Sequence, residues 1–298
     1  MRIAYTGRAL ADGRDASTML NRMSEVETRA RTVLVTGASR GIGEATARYF
    51  LDRGWSVAAA MRTPGASHLA PSNRLRLYEM DVTSAPSVTA AVEAAIADFG
   101  RIDVVVNNAG LCLVGALEEM TEADDRLIMD TNVLGAMRVS RAVLPHMRAC
   151  GGGRIINVSS VCGQMTLPLY SAYCASKWAL EGFAESLAFE TRRSGIKVKI
   201  VQPAVHKTGS FAGQIAGRAA RTAHPDHAAF SDGVLQRMAA VERSAPGPEA
   251  VAKAIHHAAT DRWPRLRYPV GSRGILLARR MMPSALFVRV VRRILNAW

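Results

Sequence analysis

From residue 32 onward, short runs of apolar and β-branched positions alternate with stretches in which the apolar positions take helical spacing. TVLVT (32–36), SVAAAM (56–61), LRLYEM (75–80), DVVVN (103–107), RIINVS (154–159) and KVKIVQ (197–202) read as strands, and YPVG (268–271) as a last one. GEATARYFLDRG (43–54) reads as a helix stopped by Gly54, and 85–99, 122–149, 171–194 and 248–261 have the length and spacing of further helices. Near-continuous apolar strands are what a parallel sheet covered on both faces requires. The alternation therefore predicts an α/β fold, a Rossmann-type doubly wound parallel sheet of about seven strands with helices on both faces. Such a sheet binds its ligands at the carboxyl ends of the strands.

No internal repeat or low-complexity linker interrupts the pattern, so residues 32–275 are expected to form a single Rossmann-type catalytic domain. Residues 276–298 are expected to form a basic amphipathic C-terminal helix. In SALFVRVVRRILNAW (284–298), Phe287, Val290, Val291, Ile294 and Trp298 share helical spacing, and Arg289, Arg292 and Arg293 fall largely on another side. That helix can lie on an anionic membrane surface, or it can pack its apolar side over the domain or a second subunit. Residues 1–31 lack the continuous apolar stretch of a secretory signal and read as a disordered extension, or as sequence upstream of a true start at Met19 or Met23.

Composition adds compartment and partner. The chain has 298 residues, 49 % of them apolar, and no apolar run approaches the roughly 18 residues that span a bilayer. Cys112, Cys150, Cys162 and Cys174 show no C-x-x-C spacing, which argues against a disulfide framework or zinc site and for a reducing, cytoplasmic compartment. The net charge is +13, but residues 262–298 hold nine arginines and no acid, and the stretch before them is nearly balanced. Basicity confined to one tail, with no helix-turn-helix, zinc-finger or aromatic RNA-binding pattern, disfavours nucleic acid as a partner. The seven histidines show no metal-ligand spacing, and His206 reads as a loop residue.

The first strand runs directly into TGASRGIG (36–43). Gly37, Gly41 and Gly43 lie at a strand-to-helix turn, where glycine permits close approach of the backbone and the helix presents free N–H groups to a phosphate. A glycine cluster alone is only a turn; a strand before it and a helix after it make it a pyrophosphate cradle. No acid stands at the end of the second strand to receive a ribose 2′-hydroxyl. That place holds Met61 followed by Arg62, with Arg40 inside the glycine loop. Each arginine alone is an ordinary surface residue; together they favour a 2′-phosphate, hence NADP(H) over NAD(H).

SAYCASKWAL (171–180) carries Tyr173 and Lys177 one helical turn apart. A free phenol titrates at about 10, too high for efficient proton exchange at neutral pH, and a nearby ammonium or a positive nicotinamide favours the phenolate. An isolated pair of this kind would be an ordinary surface contact. Ser160, 13 residues earlier at the end of a predicted strand, changes the balance.

Taken in order, the glycine loop, DVT (81–83), NNAG (107–110), TNVLG (131–135), NVSS (157–160) and Tyr173-x-x-x-Lys177 resemble the motifs of the short-chain dehydrogenases/reductases through most of 32–211. The helix 173–190 is closest to the hydroxysteroid and retinol dehydrogenase side of that family. The resemblance implies direct hydride transfer between the cofactor and an alcohol or a ketone/aldehyde. It implies Tyr173 as acid/base, Ser160 polarising the substrate oxygen, Lys177 tuning the tyrosine and holding the ribose, and Asn132 supporting a water that leads to the lysine. It implies cofactor contacts from Gly37, Ser39, Arg40, Gly41, Ile42, Gly43, Arg62, Asp81, Val82, Asn108, Ala109, Gly110, Tyr173 and Lys177. QPAVHKTGSF (202–211) resembles the segment beside the nicotinamide, with Pro203, Val205 and Thr208 in its contact places and Ala204 where the family usually has glycine. A homo-oligomer, dimer or tetramer, is the implied assembly. Leu, Met and Val in 111–117 and 162–170 point to a small apolar substrate. The alternative is a non-catalytic NADP(H)-binding regulator on the same fold. An epimerase or dehydratase of the extended relatives would carry a different glycine spacing.

Overall fold

The computed structural model describes residues 30–207 and 225–295. Seven strands form one parallel sheet: β1 (Thr32–Thr36), β2 (Ser56–Met61), β3 (Leu75–Glu79), β4 (Val104–Asn107), β5 (Gly153–Val158), β6 (Ile196–Pro203) and β7 (Arg267–Val270), in the order β3-β2-β1-β4-β5-β6-β7. The strand order reverses between β1 and β4, where such sheets open a crevice at their carboxyl ends.

Every residue of β1 and β4 is buried, as a strand covered on both faces requires. One face is covered by α1 (Gly41–Leu51) and α7 (Glu249–Thr260), which pack Phe50, Val251 and Ile255 against Val33, Val57 and Ile156. The other face is covered by α2 (Ala85–Phe99), α4 (Gly135–Ala149) and α5 (Ser171–Glu190), with Val92, Val143, Met147 and Leu187 over Leu34, Val105 and Ile155. Helix α2 has its ends written in sequence: the Ser84 hydroxyl accepts from the Ser87 N–H, and Gly100 closes it at φ 73°.

The expected helix over 122–149 is broken: α3 (Glu122–Met129) passes through a π-helical turn, Asp130–Leu134, before α4 resumes. Among the described residues one helix, α6 (Pro225–Ser244), has no counterpart in the apolar pattern, and α8 (Arg273–Met281) begins three residues before the expected tail helix. The expected single tail helix from 276 is instead α8 followed by α9 (Ser284–Leu295), separated at Pro283, which cannot continue the backbone ladder of α8. Phe287 is buried and Val291 half-buried in a third apolar cluster that also holds Val114, Tyr170, Val234 and Met238, beyond the carboxyl edge of the sheet. The Arg237 guanidinium donates to the Ile294 carbonyl at 2.8 Å and holds the end of α9 against α6. Ile294, expected on the apolar side, is 64 % exposed. Among the described residues no helix is long and apolar enough to cross a membrane. The expected extension over 1–31 lies, apart from its last two residues, outside the described residues, as do Thr208 and Trp298.

Candidate active site

A cleft of about 690 Å³ opens where the strands end, lined by the segments that follow β1 to β6. Its first wall is the turn from β1 into α1. Gly37 and Gly41 adopt φ of 66° and 58°, a backbone region that side chains with a Cβ rarely enter. Gly43 is required for a different reason: a Cβ there would stand 2.1 Å from the Gly37 carbonyl oxygen. The loop is latched from behind. The Thr36 hydroxyl accepts from the N–H groups of Asn108 and Ala109, both at 3.0 Å, and Asn108 Nδ2 donates to the Thr36 carbonyl at 2.9 Å. Gly37, Ser39, Arg40, Gly41 and Ile42 line the cleft at the amino end of α1, whose first N–H groups lack intrahelical partners. The shape and donors fit a dinucleotide pyrophosphate.

Arg40 and Arg62 are exposed on the same rim, beside Asp81 and Val82. Hydrogen bonds from the Thr83 N–H and hydroxyl, at 2.9 and 2.8 Å, hold the Asp81 carboxyl below its usual range, and the Arg62 and Arg138 charges add to this. Val82 also packs on Gly135, where a Cβ would meet its Cγ2 at 2.9 Å. Asn108, Ala109 and Gly110 form the floor, and Pro203, Ala204 and Val205 the far wall. The Ala204 N–H donates to the Val270 carbonyl at 2.9 Å, so this residue continues the β6–β7 pairing despite standing where glycine was expected.

At the centre stand Ser160, Tyr173 and Lys177. Ser160 follows β5 and caps a single 3-10 turn, its Oγ accepting from the Cys162 N–H at 3.1 Å, and it hydrogen-bonds the Tyr173 phenol. Lys177 Nζ lies 5.7 Å from the Tyr173 ring centroid and donates to the Val158 carbonyl at 3.0 Å. Burial first, then the neighbouring thiols of Cys112 and Cys162, push the phenol well above its ordinary value, and the Ser160 hydrogen bond pulls it down. Burial pushes the Lys177 ammonium down to about 8, opposed by Cys112, Cys162 and Glu181. At neutral pH the pair is therefore a protonated phenol beside an ammonium.

Asn132 does not line the cleft. It sits in the π-helical turn, fully buried, with Oδ1 accepting from the Leu111 N–H and Nδ2 donating to the Leu111 carbonyl and to Ser176 Oγ. Ser176 in turn donates to the Tyr173 carbonyl at 2.7 Å. All remaining expected site residues line the cleft except Gly43, which shapes it from behind, and Thr208, which lies outside the described residues.

Several site groups escaped the sequence reading. Thr36 and Ser176 act through partners distant in the chain, which leaves no local signal. Glu181 and Glu185 extend the four-residue spacing of Tyr173 and Lys177 and could have been found by continuing it. Glu181 accepts from Gln202 at 3.0 Å and from Arg267 at 2.9 Å, and Arg267 also reaches Glu185 at 2.7 Å, which fixes α5 in rotation over β6 and β7. Cys112 and Cys162 line the cleft, and the neighbouring Cys162 thiol holds the free Cys174 thiol down to about 7. His206, expected as a plain loop histidine, is buried, lines the cleft and shares a 2.9 Å hydrogen bond between Nδ1 and the Ala204 carbonyl.

The short chain dehydrogenase family pattern matches residues 31–218. A 3-ketodihydrosphingosine reductase of Bacteroides thetaiotaomicron is 42 % identical over 177 residues, which cover 59 % of this chain and 64 % of that one, so the match spans less than two thirds of that relative. A short-chain dehydrogenase of Streptomyces avermitilis superposes with TM-score 0.73 at 31 % identity, covering 91 % of this chain and 96 % of its own. Two other solved neighbours carry a nicotinamide cofactor. One, from Burkholderia phymatum, holds NAD (TM-score 0.74, 24 % identity, 88 % and 96 % covered) and shares the fold. The other, ElxO, holds NADP (TM-score 0.67, 26 % identity, 82 % and 99 % covered).

Proposed function

This chain belongs to the short-chain dehydrogenase/reductase family of oxidoreductases, and from that premise we propose that it interconverts an alcohol and a ketone or aldehyde on an apolar substrate with NADP(H). The observation that carries the reading is the convergence of Ser160, Tyr173 and Lys177 on one cleft that also has a glycine-loop cradle. The nicotinamide, when bound, supplies or takes the hydride. Ser160 holds the substrate oxygen. Tyr173 gives that oxygen its proton in reduction and takes it back in oxidation. The raised phenol suits the donor role. Oxidation needs the phenolate, which the Lys177 ammonium favours electrostatically. Asn132 acts through Leu111 and Ser176 and is a positioning residue.

The preference for NADP(H) rests on Arg40 and Arg62 at the rim and on Met61 standing where an acid would receive a 2′-hydroxyl. Leu111, Val161, Leu167 and Met238 support an apolar substrate. The test is a panel of apolar ketones, aldehydes and alcohols followed by cofactor absorbance, with NADPH and NADH in parallel. Turnover of ketones with NADPH is expected. No turnover of any carbonyl or alcohol overturns the reaction class, and a clear preference for NADH overturns the cofactor assignment.

The same reading has the protein cytoplasmic and homo-oligomeric, dimer or tetramer, as family membership suggests; sedimentation of the purified chain checks the assembly. Peripheral contact with anionic lipid would use the outward side of α8 and α9, where Arg273, Arg280 and Arg289 stand exposed beside Leu277 and Ile294. Co-sedimentation with anionic and neutral vesicles tests it, and equal partitioning removes it.

A further inference from the structure

Helix α6 carries a charge inversion at the substrate end of the cleft. Its inward positions are Ser231, Val234, Leu235 and Met238, a stripe at helical spacing, and Ala245 is buried further along. The next inward place after Met238, four residues on, is Glu242. Its neighbour Val241, the apolar residue of the two, is 47 % exposed. Glu242 lines the cleft beside Met238, and its charge is felt by the Tyr170 phenol on the opposite wall, which it helps to push up after burial and the nearby thiols. Among the described residues its carboxylate has no ion pair or side-chain hydrogen bond. A half-buried carboxylate is costly to hold without a partner when a valine one position away could have filled the place.

The distribution of charge in the cleft gives the inversion a meaning. Arg40, Arg62 and Lys177 stand on the cofactor side. Of the two acids that line the cleft among the described residues, Asp81 is satisfied by Thr83 on that same side. Glu242 is the other, and it stands among Leu111, Leu167, Val205 and Met238, with Tyr170, His206 and Cys112 as the further titratable side chains nearby. A carboxylate in that place favours a cation and repels a carboxylate or phosphate on the substrate.

We propose that Glu242 is a specificity residue that receives a cationic group, so that the substrate is an amphiphile with an apolar chain, a carbonyl or alcohol, and an amine. This rests on the proposed oxidoreductase reading and narrows its substrate class.

The experiment compares two ketones of one chain length, one bearing a trimethylammonium group and the other its neutral tert-butyl isostere, with the full chain and NADPH. The wild type is expected to favour the cationic ketone in kcat/KM by about tenfold or more, the scale of one charge-assisted contact. In Glu242→Gln that ratio is expected to collapse towards one, through KM rather than kcat, and Glu242→Asp is expected to restore part of it. Thermal melting of each variant separates loss of fold from loss of recognition. Competition by decyltrimethylammonium, weakened in Glu242→Gln, reads the same contact without turnover. A wild type that reduces the neutral ketone equally well, that prefers a carboxylate-bearing ketone, or whose ratio survives Glu242→Gln overturns the proposal. Failure to reduce either ketone, while simple carbonyls are reduced, also overturns it. Failure to reduce any carbonyl instead overturns the reaction class on which it rests.

Discussion

Asn132 meets the backbone of Leu111 twice, accepting from its N–H and donating to its carbonyl, both at 2.8 Å, in the manner of a paired strand residue. With Nδ2 also given to Ser176, the side chain ties the loop after β4 to the first turn of α5, where Tyr173 sits. Both amide hydrogens of Asn132 are engaged, so a water leading to Lys177 could meet this residue only at an acceptor, the second lone pair of Oδ1 or the backbone carbonyl. Asn132→Ala is expected to cost about 1–3 kcal/mol in stability from the unpaired Leu111 groups. It is expected to lower kcat by up to about 100-fold through misplacement of Tyr173. Denaturant melts and steady-state kinetics check the two effects, and Asn132→Asp, which can still accept from Leu111, should recover part of the stability.

Tyr173→Phe removes the proposed proton donor and leaves the glycine cradle and Lys177 in place. Turnover is expected to fall by about 10²–10⁴-fold, the scale of general acid catalysis, with NADPH affinity nearly unchanged. Cofactor fluorescence titration beside turnover measures both, and retained activity would remove Tyr173 from the mechanism.

Lys177 is held down to about 8 in the free protein by its burial. Below that pH it is the ammonium, and above it the neutral amine. The kcat/KM for NADPH, which reports free-enzyme groups, is expected to be level at neutral pH and to fall as pH rises through about 8. Lys177→Met should show low values without that inflection.

Gly43→Ala drives a Cβ to 2.1 Å from the Gly37 oxygen, and the obstacle is backbone. The variant is expected to lose about 1–3 kcal/mol, the usual cost of overpacking, and to bind NADPH poorly because the cradle must shift. Calorimetry with and without cofactor checks this.

Arg62→Asp replaces a rim cation by the acid that NAD-type sites use. The NADPH to NADH ratio in kcat/KM is expected to fall by about tenfold or more, with Arg40→Ala adding to the effect. An unchanged ratio would mean that neither arginine meets the 2′ position.

The sheet was legible because its inner strands are buried on both faces and so must be written as apolar runs. Tyr173, Lys177 and Ser160 were legible because their relation is carried by local spacing and by the end of a strand. Helix α6 was not, because polar Ser231 and Glu242 interrupt its inward stripe, and Glu242 matters only once the fold has turned it toward the cleft. Thr36 and Asn108 latch two loops far apart in sequence, so neither residue announces the contact. The tail read as one helix because its arginines and apolar residues keep helical spacing across Pro283, and only the proline separates the two pieces.

Phe287 closes the apolar cluster to which Tyr170 and Met238 belong. Helix α9 and the proposed substrate wall therefore share one packing unit, while the sheet rests on two other clusters. Drift in the size or shape of residues in α9 can reshape the wall without touching β1 to β7 or the glycine loop. The terminal helices thus give selection a handle on what enters the cleft that is separate from the machinery that acts on it.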